Sequence, residues 1–353
     1  MRQALFFVII LIQTTVTYAE APPPLPQPLS NNPVAMRSTS AGQPATWMTL
    51  TGLGAGKSWR DLREDGYWWQ AGMAAWQPLP PLSGNSGRLA AQLIVVAGEF
   101  WFFGGYTVAE DGAEVSTPDV IRVRPHSDSP YQAMPSMPVP VDDAVILGYQ
   151  DRYIYLISGW HDVGNVNLVQ VFDTQTHQWS QAEPWPGNAV FGHAGAIADN
   201  HLLVCGGVRI AYPATGNRQF LPNNECWQGI IRTDDPRRID WRPAPAMPGG
   251  ARYRSASAAD GRWVVFAGGA HNPYNYDGIG YNGEPAQALP TVIGFDLDEQ
   301  RWGCFTPSPR GSMDHRALIV METHQAILIG GMTNDQQVSD QVLQWQLKQQ
   351  QCD

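Results

Sequence analysis

The chain has 353 residues, with 35 glycines, 29 prolines and 14 tryptophans, 15% charged residues and a formal net charge of −10. An acidic chain so sparing in charge lacks the basic face that nucleic-acid phosphates require, which excludes nucleic acid as a partner. The glycine and proline content suits many tight turns between aromatic-packed strands, and no long amphipathic helix is legible.

Residues 1–19 read as a signal peptide: a positive Met1-Arg2, an apolar core from Ala4 to Ile12, and small residues Thr17 and Ala19 before a cleavage point at Glu20. The core is too short to span a bilayer as an ordinary helix, and no cysteine follows the cleavage point to take lipid. A periplasmic or secreted protein, with no membrane span after signal removal, is therefore expected. Residues 20–33 form a proline-rich lead-in, and 34–353 one large domain.

Within that domain a landmark recurs six times: an apolar run ending in a glycine pair. The endings are Gly52-Leu53-Gly54, Gly104-Gly105, Ser158-Gly159, Gly206-Gly207, Gly268-Gly269 and Gly330-Gly331. Counting back 17 residues from the last glycine of each gives the anchors Arg37, Arg88, Asp142, Val190, Arg252 and Asp314, spaced 48 to 62 residues apart. A period close to roughly 50 residues is that of a kelch-type β-propeller, one four-stranded blade per repeat. The fold class is all-β, a six-bladed propeller.

The third repeat shows the blade strand by strand. Asp143 to Leu147 is the inner strand, Tyr153 to Ser158 the second, Leu168 to Asp173 the third and Trp179 to Glu183 the outer. A tryptophan opens most outer strands (Trp76, Trp179, Trp241, Trp302), placed to pack between blades. The last repeat is one strand short, since only a polar tail follows Gln341 to Leu347. The segment Leu25-Pro-Gln-Pro-Leu29 can supply the missing outer strand and close the ring, removing exposed sheet edges.

Four cysteines in an oxidising compartment permit three pairings. Cys205 and Cys226 fall on what should be adjacent strands, and Cys352 can tether the tail near Cys304. Cys205 reads equally well as a small buried residue.

Chemistry is expected where the register brings polar side chains to the central channel. The starts of the inner strands give Arg37, Arg88, Asp142-Asp143, Arg252-Tyr253-Arg254 and Asp314-His315-Arg316. The loops after the glycine pairs add Tyr106, Trp160-His161, Arg209 and the long segment from His271 through Tyr274 to Tyr281, while His193 comes from the fourth blade. Any one arginine here has an ordinary reading, pairing with a neighbouring blade and satisfying loop carbonyls. Several arginines, acids and imidazoles converging on one pocket form a candidate site.

Three stretches give the chain a resemblance to the bacterial N-acetylneuraminate epimerase (sialic acid mutarotase) family, kelch propellers related to galactose oxidase-like domains. They are Leu50-Thr-Gly-Leu-Gly-Ala-Gly-Lys-Ser-Trp59, Phe266-Ala-Gly-Gly-Ala270 before an Asn/Tyr/Gly insertion, and Leu328-Ile-Gly-Gly331 before Val338-Ser-Asp-Gln-Val-Leu343. The resemblance implies a periplasmic enzyme that interconverts sialic acid anomers, with a glutamate and an arginine of the fourth-blade loop as key residues. At the glutamate's expected place this chain reads Cys205-Gly-Gly-Val-Arg-Ile210; Arg209 or Arg218 can match the arginine, and Glu225 lies further along.

Mutarotation needs one group to take the proton of the anomeric hydroxyl and another to protonate the ring oxygen. Asp143 or His161 is the candidate base, His315 the candidate acid, and His193 a further proton-transfer candidate. Arg88, Arg252 or Arg254 would hold a carboxylate through paired hydrogen bonds. A small acidic carbohydrate is the expected partner of a monomer or homodimer, with no cofactor and no metal. The alternative is a noncatalytic propeller that binds a glycan or a protein. A copper oxidase reading would need a cysteine beside a tyrosine in the channel, and no cysteine falls in that register.

Overall fold

The computed structural model describes residues 20–39, 44–82, 87–214 and 216–352. The expected signal peptide lies outside the described residues. Six antiparallel sheets follow one another along the chain, each a simple meander. The first is Val34–Arg37, Thr46–Leu53, Leu62–Gln70 and Gln77–Leu79; the second Gln92–Val96, Glu99–Phe103, Val120–Val123 and Tyr131–Ala133. The third comprises Val145–Tyr149, Tyr153–Ile157, Val169–Asp173 and Gln178–Gln181, within two residues of the sequence expectation. Ala194–Ala198, His201–Cys205, Cys226–Ile231 and Ile239–Ala244 make the fourth. The fifth is Ala256–Asp260, Trp263–Ala267, Val292–Asp296 and Arg301–Phe305. The sixth keeps three strands: Ile319–Val320, Gln325–Ile329 and Val342–Gln346. The helical content among the described residues is a single short turn, Trp59–Asp61.

Aromatic and branched side chains of the second and third strands fill the spaces between neighbouring sheets. Phe100 and Phe102 pack towards the first blade, whereas Trp101 and Phe103, alternating to the other face, pack towards Phe172 of the third. The outer-strand tryptophans fasten each blade to the one before it. The indoles of Trp179, Trp241 and Trp302 donate to the carbonyls of Pro135 (3.0 Å), Glu183 (3.4 Å) and Pro245 (2.9 Å). In the first blade Trp76 donates instead to Pro23 at 2.8 Å, so the N-terminal segment stands where the sixth blade's exit loop would be.

That segment closes the ring with no strand ladder but with three backbone hydrogen bonds, one of them from the Gly331 N–H to the Leu29 carbonyl. Leu25 donates to Asp340 and Leu29 to Ser339, and both leucines are buried against Trp69, Trp76 and Ile327. Pro26 and Pro28 have no N–H to offer, which limits this stretch as a strand. The tail lies beside Cys304, where Cys352 was expected to tether it: Gln349–Gln350 pairs with Arg301–Phe305 of the fifth blade. Cys304–Cys352 locks that pairing, and Cys205–Cys226 bridges the second and third strands of the fourth blade at directly opposed positions.

The glycine pairs earn their place at the axis. Gly159 has φ 108°, and a Cβ there would sit 2.7 Å from the Asp142 carbonyl oxygen; at Gly207, with φ 80°, it would sit 2.7 Å from that of Phe191. Beside these glycines one residue of each blade also adopts left-handed backbone: Asn31, Ala90, Asp143, Gly192, Arg254 and Asp314. A ring of hydrogen bonds holds them. Asp143 N donates to Ala90 O, Gly192 N to Asp143 O, Arg254 N to Gly192 O, His315 N to Arg254 O and Asn31 N to Asp314 O, at 2.8–3.2 Å. Ala90 N completes the circle on Asn31 Oδ1 at 2.5 Å. For a non-glycine residue this conformation costs about 1–2 kcal/mol, and the ring supplies the compensating bonds.

Candidate functional site

The left-handed positions turn their side chains to the axis, and three of the six are ionisable. Arg254 donates through Nε (3.1 Å) and Nη2 (2.8 Å) to Asp143 Oδ2, and through Nη1 to Asp314 Oδ1 at 3.1 Å. Arg316 donates to the other oxygen of Asp143, and Asn31 Nδ2 to Asp314 Oδ1 at 2.8 Å. Two acids and two guanidiniums thus make a buried knot across the channel. Burial alone would raise the Asp143 carboxyl, but the Arg254 and Arg316 guanidiniums outweigh it and hold Asp143 below the usual carboxylate range.

The knot separates two cavities. On the side of the loops that follow the glycine pairs lies a mouth of about 360 Å³, lined by Tyr106, Glu114, Asp142, Asp143, Trp160, Phe191, Arg218, Phe220, Arg254, Asn275, Tyr276 and Tyr281. Its walls are the hairpins Tyr106–Val108 with Glu114–Ser116, Trp160–His161 with Gly164–Asn165, and Val208–Ala211 with Gln219–Pro222, together with the insertion 271–288. Trp160 and Tyr253 meet Phe191 edge to face, with ring centroids 5.5 and 5.6 Å away, and Phe220 stacks on Tyr281 at 4.2 Å.

Asp142 is the exceptional residue of this mouth. Six isolated bridges mark one equivalent position per blade, occupied by Ser30, Leu89, Asp142, Phe191, Tyr253 and Met313. Only the third blade puts a carboxyl there, 3% exposed beside an apolar layer of Leu89, Tyr106, Phe191 and Tyr253. Its one hydrogen bond comes from the Ser116 hydroxyl at 2.6 Å. Burial pushes its pKa well above the ordinary value, and the negative Asp143 and Glu114 push the same way. Glu114, on the rim and open to solvent on one side, is also raised, first by the loss of water on its buried side and further by the negative Asp143. Arg218 arches over the rings of Trp160 and Phe220, each 5.2 Å from its guanidinium carbon. Among the described residues its one hydrogen bond is a 3.5 Å contact to the Val163 carbonyl, which leaves most of its donors for a ligand.

The other sequence candidates fall elsewhere. Arg88 and Arg252 are buried and turned sideways into their own blades: Arg88 pairs with Asp119 at 2.5 Å, and Arg252 donates to the Thr291 carbonyl (2.8 Å) and hydroxyl (2.7 Å). Arg37 sits at the far end of its inner strand, bonded to Thr46 at 3.2 Å, so its placement at the channel is corrected. The counting slipped because more residues separate Arg37 from Thr46 than separate the first two strands of any other blade; the equivalent of the remaining anchors lies near Ser30 and Asn31. His161 holds the Pro140 carbonyl at 2.8 Å and His271 that of Ala251 at 2.8 Å, both outside the mouth lining. Arg209 is part-exposed on its hairpin and outside the lining too, and Glu225 is engaged by Asn188. Tyr253 and Tyr274 are fully buried supports with centroids 5.0 Å apart, beneath Arg254.

His193, His315 and Arg316 line the channel on the other side of the knot. Burial lowers both imidazoles to about 4, so they are neutral at physiological pH; His193 bonds the Ile157 carbonyl and His315 the Ser312 hydroxyl. Neither reaches the mouth, which corrects their assignment beside Asp143 in proton transfer there. Tyr276 and Tyr281 come from the expected 271–281 segment, whereas Glu114 and Phe220 were missed, because they lie on hairpins without repeat register. The alternation in Glu114-Val115-Ser116 was the one available signal.

Among the described residues no cluster of three His, Cys, Asp or Glu side chains could hold a metal, and no helix is long and apolar enough to cross a membrane. The four cysteines are all bridged, which leaves no thiol to crosslink a tyrosine.

No family model matches the chain. It is similar to Kelch-like protein 15 of mouse and of human, at 22% identity over 285 residues, covering 80% of this chain and 43% of each relative. The chain thus spans less than half the length of these relatives. Among solved structures it is similar to that of YjhT, with a TM-score of 0.71 at 14% identity, covering 93% of this chain and 99% of the other. With the six meanders, these likenesses show a kelch-repeat β-propeller.

Proposed function

We propose that the protein is an exported propeller whose mouth binds an acidic sugar and speeds interconversion of its anomers, as the resemblance to the sialic acid mutarotases implies. One observation carries this reading: blade three alone places a buried carboxyl, Asp142, held well above the ordinary carboxylate range by burial, where the other blades have no acid, and it faces a cavity with aromatic walls. Burial that favours the protonated form suits a carboxyl to donate a proton, as ring opening requires. In the proposal Asp142 protonates the ring oxygen while Glu114 accepts the proton of the anomeric hydroxyl. The C–O bond breaks to give the open carbonyl, which rotates and recloses with the protons returned. Arg218 takes the sugar carboxylate, and Trp160, Phe220 and Tyr281 cover the apolar sugar face.

Asp143 suits the base role less well, since both its oxygens are committed to arginines. Two disulfides support export, because such bridges persist in oxidising compartments. The test is to add protein to freshly released α-N-acetylneuraminic acid and follow the C3 proton signals by NMR. Faster decay of the α form, abolished by Asp142→Asn, is the expected result.

The second reading is a noncatalytic module for a glycan or a protein. It is favoured by Gly206-Gly207-Val208 standing where the family has its glutamate, and by exposed apolar side chains on the loops of the mouth face, Val115, Val163 and Tyr212. Saturable binding with no change in the rate of anomer exchange would decide for it.

A further inference from the structure

Beyond the knot the channel opens into a second cavity of about 310 Å³, bounded by the inner strands of all six blades. The half-exposed ends of those strands, at Met36, Gly148, Ile197 and Ala258, belong to its wall, so it opens on the face opposite the mouth. Most of the lining is apolar. Its polar end is built from Arg316, Ser255, His193 and His315, whose side chains are nine-tenths or more buried.

These groups are not satisfied by the protein. Arg316 spends Nη1 on Asp143, while its Nε and Nη2 have no partner. Those two N–H groups share the edge of the guanidinium plane that accepts a carboxylate through two parallel bonds. The Ser255 hydroxyl is also unpartnered. His193 donates from Nε2 to the Ile157 carbonyl at 2.9 Å, which makes its unpartnered Nδ1 a lone-pair acceptor. Two donors on one planar edge, a hydroxyl and one acceptor are the complement of a carboxylate with a hydroxyl beside it. Buried polar atoms are seldom left without partners, so this concentration at the end of an open cavity points to a ligand.

We propose that the channel is a second binding site, distinct from the mouth, for a small 2-hydroxy carboxylate. Its carboxylate lies on the Nε/Nη2 edge of Arg316 with Ser255 as a third donor, its hydroxyl donates to His193 Nδ1, and its carbon chain lies along the apolar strands. Titration of the full chain with lactate and with propionate, followed by calorimetry and by ligand NMR, tests this. Lactate is expected to bind saturably, and several-fold more tightly than propionate, which lacks the hydroxyl. Arg316→Lys keeps a charge for Asp143 but removes the planar edge, and should weaken lactate at least about tenfold. Ser255→Ala, which leaves the knot untouched, should weaken it several-fold, whereas Arg218→Ala in the mouth should not. The proposal fails if lactate does not saturate the wild-type chain, or if Arg218→Ala abolishes its binding while Arg316→Lys and Ser255→Ala do not.

Discussion

The two cavities share a floor and differ in how their walls are made. The mouth is walled by hairpins and an insertion that vary from blade to blade, and it carries carboxyls raised by burial, a largely unengaged arginine and a layer of rings. The channel is walled by inner strands that repeat with little change, and its polar groups are neutral imidazoles, a serine and one edge of a guanidinium. Individual chemistry therefore concentrates where the repeat is free to vary, while the strand register limits the channel to recognition at one end. Arg252 and Arg254 make the same point at close range. Only two residues apart, one is turned into its own blade and the other crosses the axis, because Arg254 takes the left-handed backbone.

The contrast breaks most completely if the shared floor is removed. Arg254→Ala leaves Asp143 and Asp314 deprived of a buried counter-charge and should cost about 3–5 kcal/mol, read as a lowered denaturation midpoint, with both cavities lost together. Asp142→Asn confines the damage to the mouth: anomer exchange should fall about a hundredfold or more, with the midpoint unmoved or raised. A preserved rate would remove Asp142 from the chemistry. The channel side is sharpened by pH. His193 and His315 sit at about 4 when folded and near about 6.5 when unfolded, so between these values the unfolded chain binds more protons. Stability should thus be fully present above about 6.5 and fall as the pH drops towards 4, and His193→Gln should flatten that slope in acid titrations. Arg218→Ala should weaken acidic-sugar binding about tenfold while leaving the denaturation midpoint in place, since the side chain is exposed. The smallest effect belongs to Arg37→Ala, within about 0.5 kcal/mol, because that residue serves neither cavity.

Much of this was legible in the sequence where the repeat is regular. The glycine pairs gave six blades, and counting from them reached Asp142, Asp143, Tyr253, Arg254, His315 and Arg316, because the turn joining the first two strands of blades two to six is short and nearly constant. The same count misplaced Arg37, where the loop between those strands is longer. It also could not reveal that Arg88 and Arg252 turn sideways, which depends on Asp119 and Thr291 in the loops before each third strand. Glu114 and Phe220 escaped for a different reason: they lie on the returning strands of hairpins whose lengths differ from blade to blade, so no count from the glycine pairs reaches them, and only folding brings them to the mouth beside Asp142.

The tail's attachment carries a mechanical consequence. Since Gln349–Gln350 and Cys352 are fastened to the outer strand of the fifth blade, a cargo fused behind Cys352 would pull on that strand and not on the seam where the first and sixth blades meet. That seam, held by the backbone hydrogen bonds of Leu25, Leu29 and Asn31 and by the buried cluster around the two leucines, is thereby shielded from load at one end of the chain while remaining exposed to load applied through the other.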